Sequence, residues 1–393
     1  MNLKSQPLYT FQFALLCLSH VLFAGSFTMI IPELPDYLTQ LGGAEYKGLI
    51  ISLFTLTAGI SRPFSGKLTD TVGRVPVMIV GALVCVVCSL FYPLLTSVAG
   101  FLLLRLLHGF STGFKPTAST AYVADIVPVH RRGEAMGILG ISMNIGASMA
   151  PPFGSFLALA YSIDVMFYVS SGLALFSVLI LLKMKETLKD RQHFRPGLLR
   201  ISRDQILDKD AIPPSIITLL VYLSFGVVLT ISPDQSEYLG LTNKGFFFTS
   251  FTFCSLFSRF VAGKVSDKYG RVPVIKVATV LVAISMVLIG LSHSPLGLLT
   301  ASGALGFSTG IVAPAVFAWA VDRSSEAHRG RAMATIYIAL EIGIGLGALG
   351  SGWLYANDPH NFGNTYFVSA AITLLAFFYL QFGYKRKRMQ PPI

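Results

Sequence analysis

A few charged side chains lie within the long apolar runs of this sequence or at their ends. The acidic ones are Glu33, Asp36, Asp234, Glu237 and Glu341, and the basic ones are Arg62, Arg105, Lys115 and Arg259. Because ionisation is costly in hydrocarbon, such residues are expected to serve a partner, a substrate or a proton. Glu341 lies about ten residues into an otherwise apolar helix, and we predict that it either carries a proton or binds a cationic group.

The other acids allow a simpler explanation. Asp36, Asp234 and Glu237 lie where apolar runs end, so solvated positions are the first expectation for them. Glu33 lies between Pro32 and Pro35 and fits either a functional or a solvated role equally well. Glu33, Asp36 and Asp234 therefore stay candidates for proton coupling or substrate binding, beside Glu341.

One stretch of twelve residues occurs twice. Residues 66–77 read GKLTDTVGRVPV and residues 263–274 read GKVSDKYGRVPV, 197 positions later in a chain of 393. The same shift aligns Arg62 with Arg259, Asp125 with Asp322, Arg132 with Arg329, and Gly146 with Gly343. A register kept over such a distance indicates that the chain is a duplicated half.

The duplication makes one intramembrane charge informative. Arg105 aligns with Ser302 and His108 aligns with Leu305, so this charged pair exists in one half only. Since the other half folds without it, the fold does not require it. We predict a functional role for Arg105 and His108 in substrate binding or proton transfer.

The composition is that of a membrane protein. Hydrophobic residues make up 53% of the chain and charged residues 12%, about half the charged share of a soluble domain. The apolar runs predict twelve helical spans at 11–36, 47–66, 76–96, 98–120, 134–158, 164–183, 214–234, 245–264, 273–292, 296–320, 331–355 and 363–383. The predicted fold is therefore an all-α integral membrane protein with two six-helix bundles, 1–183 and 213–393, and a cytoplasmic linker at 184–212.

The basic residues indicate how the chain is oriented. The termini, the linker and the loops on their side hold 24 of the 30 Lys and Arg, whereas the opposite loops hold only Lys47 and Lys244. This bias predicts that both termini are cytoplasmic. The net charge of +11 is then an orientation signal, and no nucleic-acid partner is needed to explain it. The compact loops suit a bacterial inner membrane.

The duplicated stretch resembles the signature loop of the major facilitator superfamily. Gly66, Asp70, Gly73 and Arg74 carry the resemblance, and Gly263, Asp267, Gly270 and Arg271 repeat it. The resemblance implies secondary transport by alternating access, with substrate bound near the midplane between the bundles. It also suggests a cytoplasmic latch formed in the outward-facing state by Arg74, Asp125 and Arg132 on one bundle with Arg271, Asp322 and Arg329 on the other.

The fifth span resembles the antiporter signature of proton-coupled drug exporters. Its matching positions are Gly137, Gly146, Ala150, Pro151 and Gly154, with Ala150 and Ser155 in place of two glycines. Small residues at this spacing permit close helix packing, and a proline bends the helix. The resemblance implies an exporter that exchanges a small molecule for protons.

Other functions remain open on the same residues. An importer or uniporter of a sugar, siderophore or metabolite would share the fold, and a membrane sensor would not need Arg105 or Glu341. We expect no cofactor, no metal site and a monomer, and we expect no enzyme activity. The Gly-x-Ser-x-Gly motif at 109–113 lies in a predicted membrane helix, without the strand that a hydrolase nucleophile requires.

Overall fold

A computed structural model describes residues 10–128, 131–200, 207–324 and 329–384, apart from the side chains of residues 133, 260, 261, 263, 264, 329 and 330. Within these ranges every regular element is helical. The first span consists of α1 (Phe11–Met29) and α2 (Leu34–Gln40), joined by a 3₁₀ turn at Ile31–Glu33. Pro32 and Pro35 account for the break, because proline lacks the N–H that a continuous helix would use.

The other spans are single α-helices. They are α3 (Lys47–Thr71), α4 (Arg74–Phe91), α5 (Val98–Ile126), α6 (Arg132–Ala160) and α7 (Ile163–Leu182) in the first half, and α8 (Ile212–Tyr238), α9 (Gly245–Tyr269), α10 (Arg271–Gly290), α11 (Pro295–Arg323), α12 (Arg329–Tyr355) and α13 (Phe362–Phe378) in the second half, where α13 continues into a π-helical turn at Tyr379–Gly383.

These helices confirm the predicted fold class. Among the described residues, nine helical segments are long and apolar enough to cross a membrane. The helices α3 and α5 extend several residues past their predicted ends, to Thr71 and Ile126. Hydropathy marks the part of a helix that lies in hydrocarbon, and a polar extension beyond it escapes that signal.

The two halves pack in the same pattern. In the first half α1 packs on α6 and α7, α3 on α5, and α4 on α5 and α7; in the second half α8 packs on α12 and α13, α9 on α11, and α10 on α11 and α13. The halves meet along two seams, one between α3 and α12 and one between α6 and α9. We call the end that holds the duplicated stretches the loop end and the opposite end the far end.

Two equivalent glycines allow close contacts between helices. A Cβ on Gly109 would overlap the Phe54 carbonyl oxygen of α3, and a Cβ on Gly306 would overlap the Phe251 carbonyl oxygen of α9. The Gly-x-Ser-x-Gly motif therefore lies in helices, as predicted, and its first glycine serves helix packing.

We expect Gly109→Ala to lower the melting temperature of the detergent-solubilised protein by several degrees, because an added methyl group in a filled contact costs about 1–3 kcal/mol. The matched control is Gly172→Ala on α7, where no atom of the described structure lies within 4 Å of an added Cβ. That substitution should be neutral or stabilising, since alanine favours a helix over glycine. Equal melting temperatures for the two variants would contradict the packing role.

Candidate functional site

A cavity of about 1240 Å³ lies between the two halves. Helices α1, α3, α5 and α6 of the first half and α8, α9, α11 and α12 of the second half contribute to its wall. Its lining reaches Asp70, Thr71 and Arg331 near the loop end, so the cavity opens there. Aromatic side chains from both halves form much of its deep part: Phe27, Phe54, Tyr222, Phe225, Phe248 and Phe251.

An ion pair crosses the α3–α12 seam inside this cavity. A terminal nitrogen of Arg62 donates to Oε1 of Glu341 at 2.6 Å, and the two side chains are only 11% and 8% exposed. The Arg62 guanidinium also lies over the Tyr337 ring, 4.5 Å from its centroid. Glu341 thus lies in the cavity wall with a partner from the opposite half. Arg62 was expected to be an intramembrane charge, but its ion pair with Glu341 was not predicted from the sequence.

Arg105 lies in the wall of the same cavity without a carboxylate partner among the described residues. Its Nε donates to the Ile50 carbonyl at 2.8 Å and its Nη1 to the Tyr92 hydroxyl at 3.3 Å. The guanidinium also lies 4.8 Å from the centroid of the Phe54 ring. Arg105 is therefore held by the first half alone, and its charge is not neutralised there.

His108 lies behind Arg105 and away from the cavity. Its side chain is fully buried, with one ring nitrogen 3.1 Å from the Tyr92 hydroxyl and the other 3.1 Å from the Cys85 thiol. The structure therefore does not bring His108 to the cavity wall with Arg105. It forms part of a polar network inside the first bundle.

Two ion pairs close the far end. Lys47 at the start of α3 contacts Asp234 of α8, and Lys244 just before α9 contacts Asp36 of α2, so both pairs join the two halves. Lys244 also contacts Glu237 at 2.6 Å. The expectation of a solvated end is wrong for Asp234, which the opposite half covers; it holds in part for Asp36, whose side chain is 32% exposed but paired with a lysine, and it agrees with Glu237, which is 61% exposed. Asp234 is 8% exposed.

A sequence signal for these pairs was present. Lys47 and Lys244 are equivalent under the 197-residue shift, and both are followed by glycine. A Cβ on Gly48 would lie 2.7 Å from the Ala348 carbonyl oxygen of α12, and a Cβ on Gly245 would overlap the Pro151–Pro152 backbone of α6. Each Lys-Gly pair thus allows one seam to close tightly at the far end.

The family model of the major facilitator superfamily matches residues 16–210 and 214–392. The chain belongs to the major facilitator superfamily. It is 29% identical over 304 residues to the multi-drug resistance efflux pump PmrA of Streptococcus pneumoniae, covering 74% of this chain and 76% of PmrA. It is 26% identical over 387 residues to the multidrug resistance protein MdtG of Escherichia coli, covering 93% of this chain and 92% of MdtG.

The fold of the superfamily is confirmed by a solved structure. The crystal structure of the human organic anion transporter MFSD10 (TETRAN) superposes with a TM-score of 0.73 at 19% identity, over 94% of this chain and 98% of that one. At this identity the likeness shows the fold alone. The chain is thus a transporter-family membrane protein with the central cavity and the duplicated loops of its superfamily.

The signature-loop charges form two separate clusters in this conformation. Arg74 binds Asp70 at 3.2 Å and Asp125 at 2.9 Å, all within the first half. The second half repeats the arrangement, with Arg271 bonded to Asp267 at 2.5 Å and Asp322 at 3.0 Å. In the part of the chain that the structure describes, none of these six side chains contacts the other half, which agrees with a cavity that is open at this end.

The remaining loop residues divide by position. Gly73 and Gly270 have φ values of 138° and 89°, so both turns use the backbone freedom of glycine as predicted. Gly66 lies within α3, and an added Cβ there would meet no atom within 4 Å, so close approach does not explain it in this conformation. Arg132 donates to the Ala124 carbonyl at 2.6 Å. The surroundings of Gly263 and the side chain of Arg329 lie outside the described part of the structure.

The small residues of α6 pack against α1 of the same bundle. A Cβ on Gly146 would overlap the Val21 carbonyl oxygen, and one on Gly154 would overlap the Met29 carbonyl oxygen. Ala150 lies near Gly25 of α1, whereas Gly137 has open space around it. Ser155, which replaces a glycine of the antiporter signature, donates to buried Glu33 at 2.5 Å. Glu33 is therefore bonded within its own bundle and does not line the cavity.

Two prolines on α6 prepare the second seam. Because Pro152 has no N–H, the carbonyl of Ser148 loses its helical donor. The Thr249 hydroxyl of α9 donates to that carbonyl at 2.6 Å, across the seam. Asn243 donates to the Pro152 carbonyl at 2.9 Å on the same side. Pro152 thus leaves the Ser148 carbonyl of α6 free to accept a bond from the opposite half.

We expect Asp234→Asn to shift the protein toward a conformation that is open at the far end, because Lys47 would stay buried without an anion, at a cost of about 3–5 kcal/mol. The distance between spin labels at Glu45 and Thr242, measured by double electron–electron resonance, should lengthen. Asp164→Asn is the matched control, since Asp164 is exposed at the same end and forms no ion pair within the described residues. An unchanged distance distribution in Asp234→Asn would remove Lys47–Asp234 from the closure.

Proposed function

We propose that this protein is a proton-coupled exporter that exchanges a small molecule for protons. The Arg62–Glu341 ion pair is the observation that carries the proposal, because it places a titratable carboxylate in the cavity and on the seam where the halves must move. The relatives PmrA, a multi-drug resistance efflux pump, and MdtG, a multidrug resistance protein, support transport out of the cell. The α6 sequence supports antiport through its likeness to the antiporter signature.

The coupling follows from the charge on Glu341. When ionised, Glu341 neutralises Arg62 and links α3 to α12. When Glu341 takes up a proton, the charge attraction disappears and Arg62 keeps only its contact with Tyr337. The proton therefore changes the strength of the link between the halves, as a coupling ion must do to shift a conformational equilibrium.

The transport cycle uses the two ends in alternation. The excess of Lys and Arg in the loops at the loop end indicates that this end faces the cytoplasm, so this conformation is open to the cytoplasm. Substrate enters the cavity there, and the halves 1–183 and 213–393 rock about the linker. The ion pairs at the far end then separate. The loop end is closed by contacts between charged residues of the two halves: Arg74, Asp125 and Arg132 of the first half with Arg271, Asp322 and Arg329 of the second. Glu341, now facing the outside, takes up a proton as the substrate leaves. The chain works as a monomer in this cycle.

We expect Glu341→Gln to abolish the response of transport to a pH gradient in proteoliposomes, because glutamine fits the site but cannot ionise. Transport of two fluorescent dyes, the cation rhodamine 6G and the anion fluorescein, is measured with and without an imposed gradient of one pH unit. The wild type should move at least one of the dyes uphill, and only with the gradient. The variant should retain only downhill movement.

The matched control is Glu45→Gln, an exposed carboxylate outside the cavity, which should behave as wild type. Transport that ignores the gradient in wild type would replace the proposal with facilitated diffusion or another ion. Intact coupling in Glu341→Gln would show that another group carries the proton. Uphill uptake in the direction of the proton flux would indicate an importer.

A further inference from the structure

The two seams of the cavity are equivalent in sequence but differ in charge. Under the 197-residue shift, Arg62 aligns with Arg259 and Glu341 aligns with Asn144. Arg62 and Glu341 belong to the α3–α12 seam, whereas Arg259 and Asn144 belong to the α6–α9 seam. All four side chains line the same cavity. The acid that neutralises an arginine at the first seam is replaced by a neutral amide at the second.

Arg259 is consequently an available cation. In the described part of the chain it forms no ion pair or hydrogen bond, and its side chain is exposed to the cavity. Ser255 and Thr252 lie one and two turns before it on α9 and line the cavity with it, as helical spacing requires. The buried amide nitrogen of Asn144 has no hydrogen-bond partner among the described residues. These are hydrogen-bond donors with few protein acceptors.

The cavity as a whole has an excess of positive charge. With Arg331 left aside, the described lining contains four basic side chains and two acidic ones: Arg62, Lys67, Arg105 and Arg259 against Asp70 and Glu341. Glu341 is occupied by Arg62, and Asp70 is bonded to Arg74. Arginine binds carboxylates and phosphates through two parallel hydrogen bonds, so Arg259, which is exposed to the cavity, can take an acidic ligand.

We propose that the cargo is an aromatic organic anion, whose acidic group binds Arg259 and the Asn144 amide while its ring packs on the aromatic wall near Tyr222 and Phe251. This inference deepens the proposed function, because it rests on the cavity being the transport site. The two equivalent seams then have different roles. The α3–α12 seam has the carboxylate of Glu341 for the proton, whereas the α6–α9 seam has Asn144 in its place and binds the acidic group of the cargo.

The test compares two dyes that share a xanthene core, fluorescein as the anion and rhodamine 6G as the cation. Binding to the full chain in phosphatidylcholine nanodiscs is followed by fluorescence anisotropy, with empty nanodiscs subtracted. Fluorescein should bind, and Arg259→Gln should weaken its affinity about tenfold or more, as expected for the loss of a charge-assisted hydrogen bond. Arg191→Gln in the exposed linker is the matched control and should change nothing.

Asn144→Glu is the decisive second variant, because it places at the second seam the acid that the first seam has. It should weaken fluorescein binding by at least the same factor and strengthen rhodamine 6G binding. Size-exclusion profiles matching wild type show that both variants fold, and Asn144→Glu alone decides the test should Arg259→Gln fail. Fluorescein binding unchanged in a folded variant, or wild-type binding of rhodamine 6G alone, would overturn the inference.

The outcome is separable from that of the proposed function, since binding is measured without a pH gradient. Anion binding that depends on Arg259, found together with gradient-independent transport, would leave this inference standing and remove proton coupling. Gradient-driven transport of rhodamine 6G with no Arg259-dependent anion binding would do the reverse.

Discussion

A charge buried between two membrane domains must be neutralised, and the rest of this structure depends on how that is done. The hydrocarbon surroundings offer no water, so each buried lysine or arginine needs an acceptor or an anion from the protein. Lys47, Lys244 and Arg62 contact carboxylates of the opposite half, whereas fully buried Lys115 donates to the Ser19 carbonyl of its own half. Arg105 and Arg259 have no carboxylate partner in the described part of the chain, and both line the cavity.

The same two helices hold both ends of this arrangement. Lys47 and Arg62 lie 15 residues apart on α3. Lys244, just before α9, and Arg259, within α9, are also 15 residues apart. A helix rises about 1.5 Å per residue, so each lysine stands about 22 Å from its arginine along one rigid rod. A tilt of α3 or α9 that opens the far end must therefore also change the contacts of the arginine in the cavity. This geometry links the far-end closure to the chemistry of the cavity without any intervening pathway.

The sequence predicted the all-α membrane fold and the approximate positions of the helices, because hydropathy is a local signal. It also identified Glu341 as an intramembrane acid, since a lone carboxylate in an apolar helix stands out. It failed for Asp234 and in part for Asp36, because their surroundings come from the other half, more than 180 residues away, and a span end looks solvated from its own neighbours. The equivalence of Lys47 and Lys244 was the signal that could have found them. His108 was grouped with Arg105 because neither has a counterpart in the second half; the two side chains share the Tyr92 hydroxyl, but only Arg105 lines the cavity.

Reversibility explains why these closures are built from polar links. A seam held by a large apolar surface would be too stable to open within a transport cycle, whereas buried ion pairs gain little net stability because desolvation offsets their attraction. The far end accordingly combines two ion pairs with glycine contacts, and the α6–α9 seam adds a bond from Thr249 to the Ser148 carbonyl, which Pro152 has freed. Such links fix the register of the closed state but leave it close in free energy to the open one. A proton or a cargo molecule that changes one charge in the cavity is then sufficient to shift the balance.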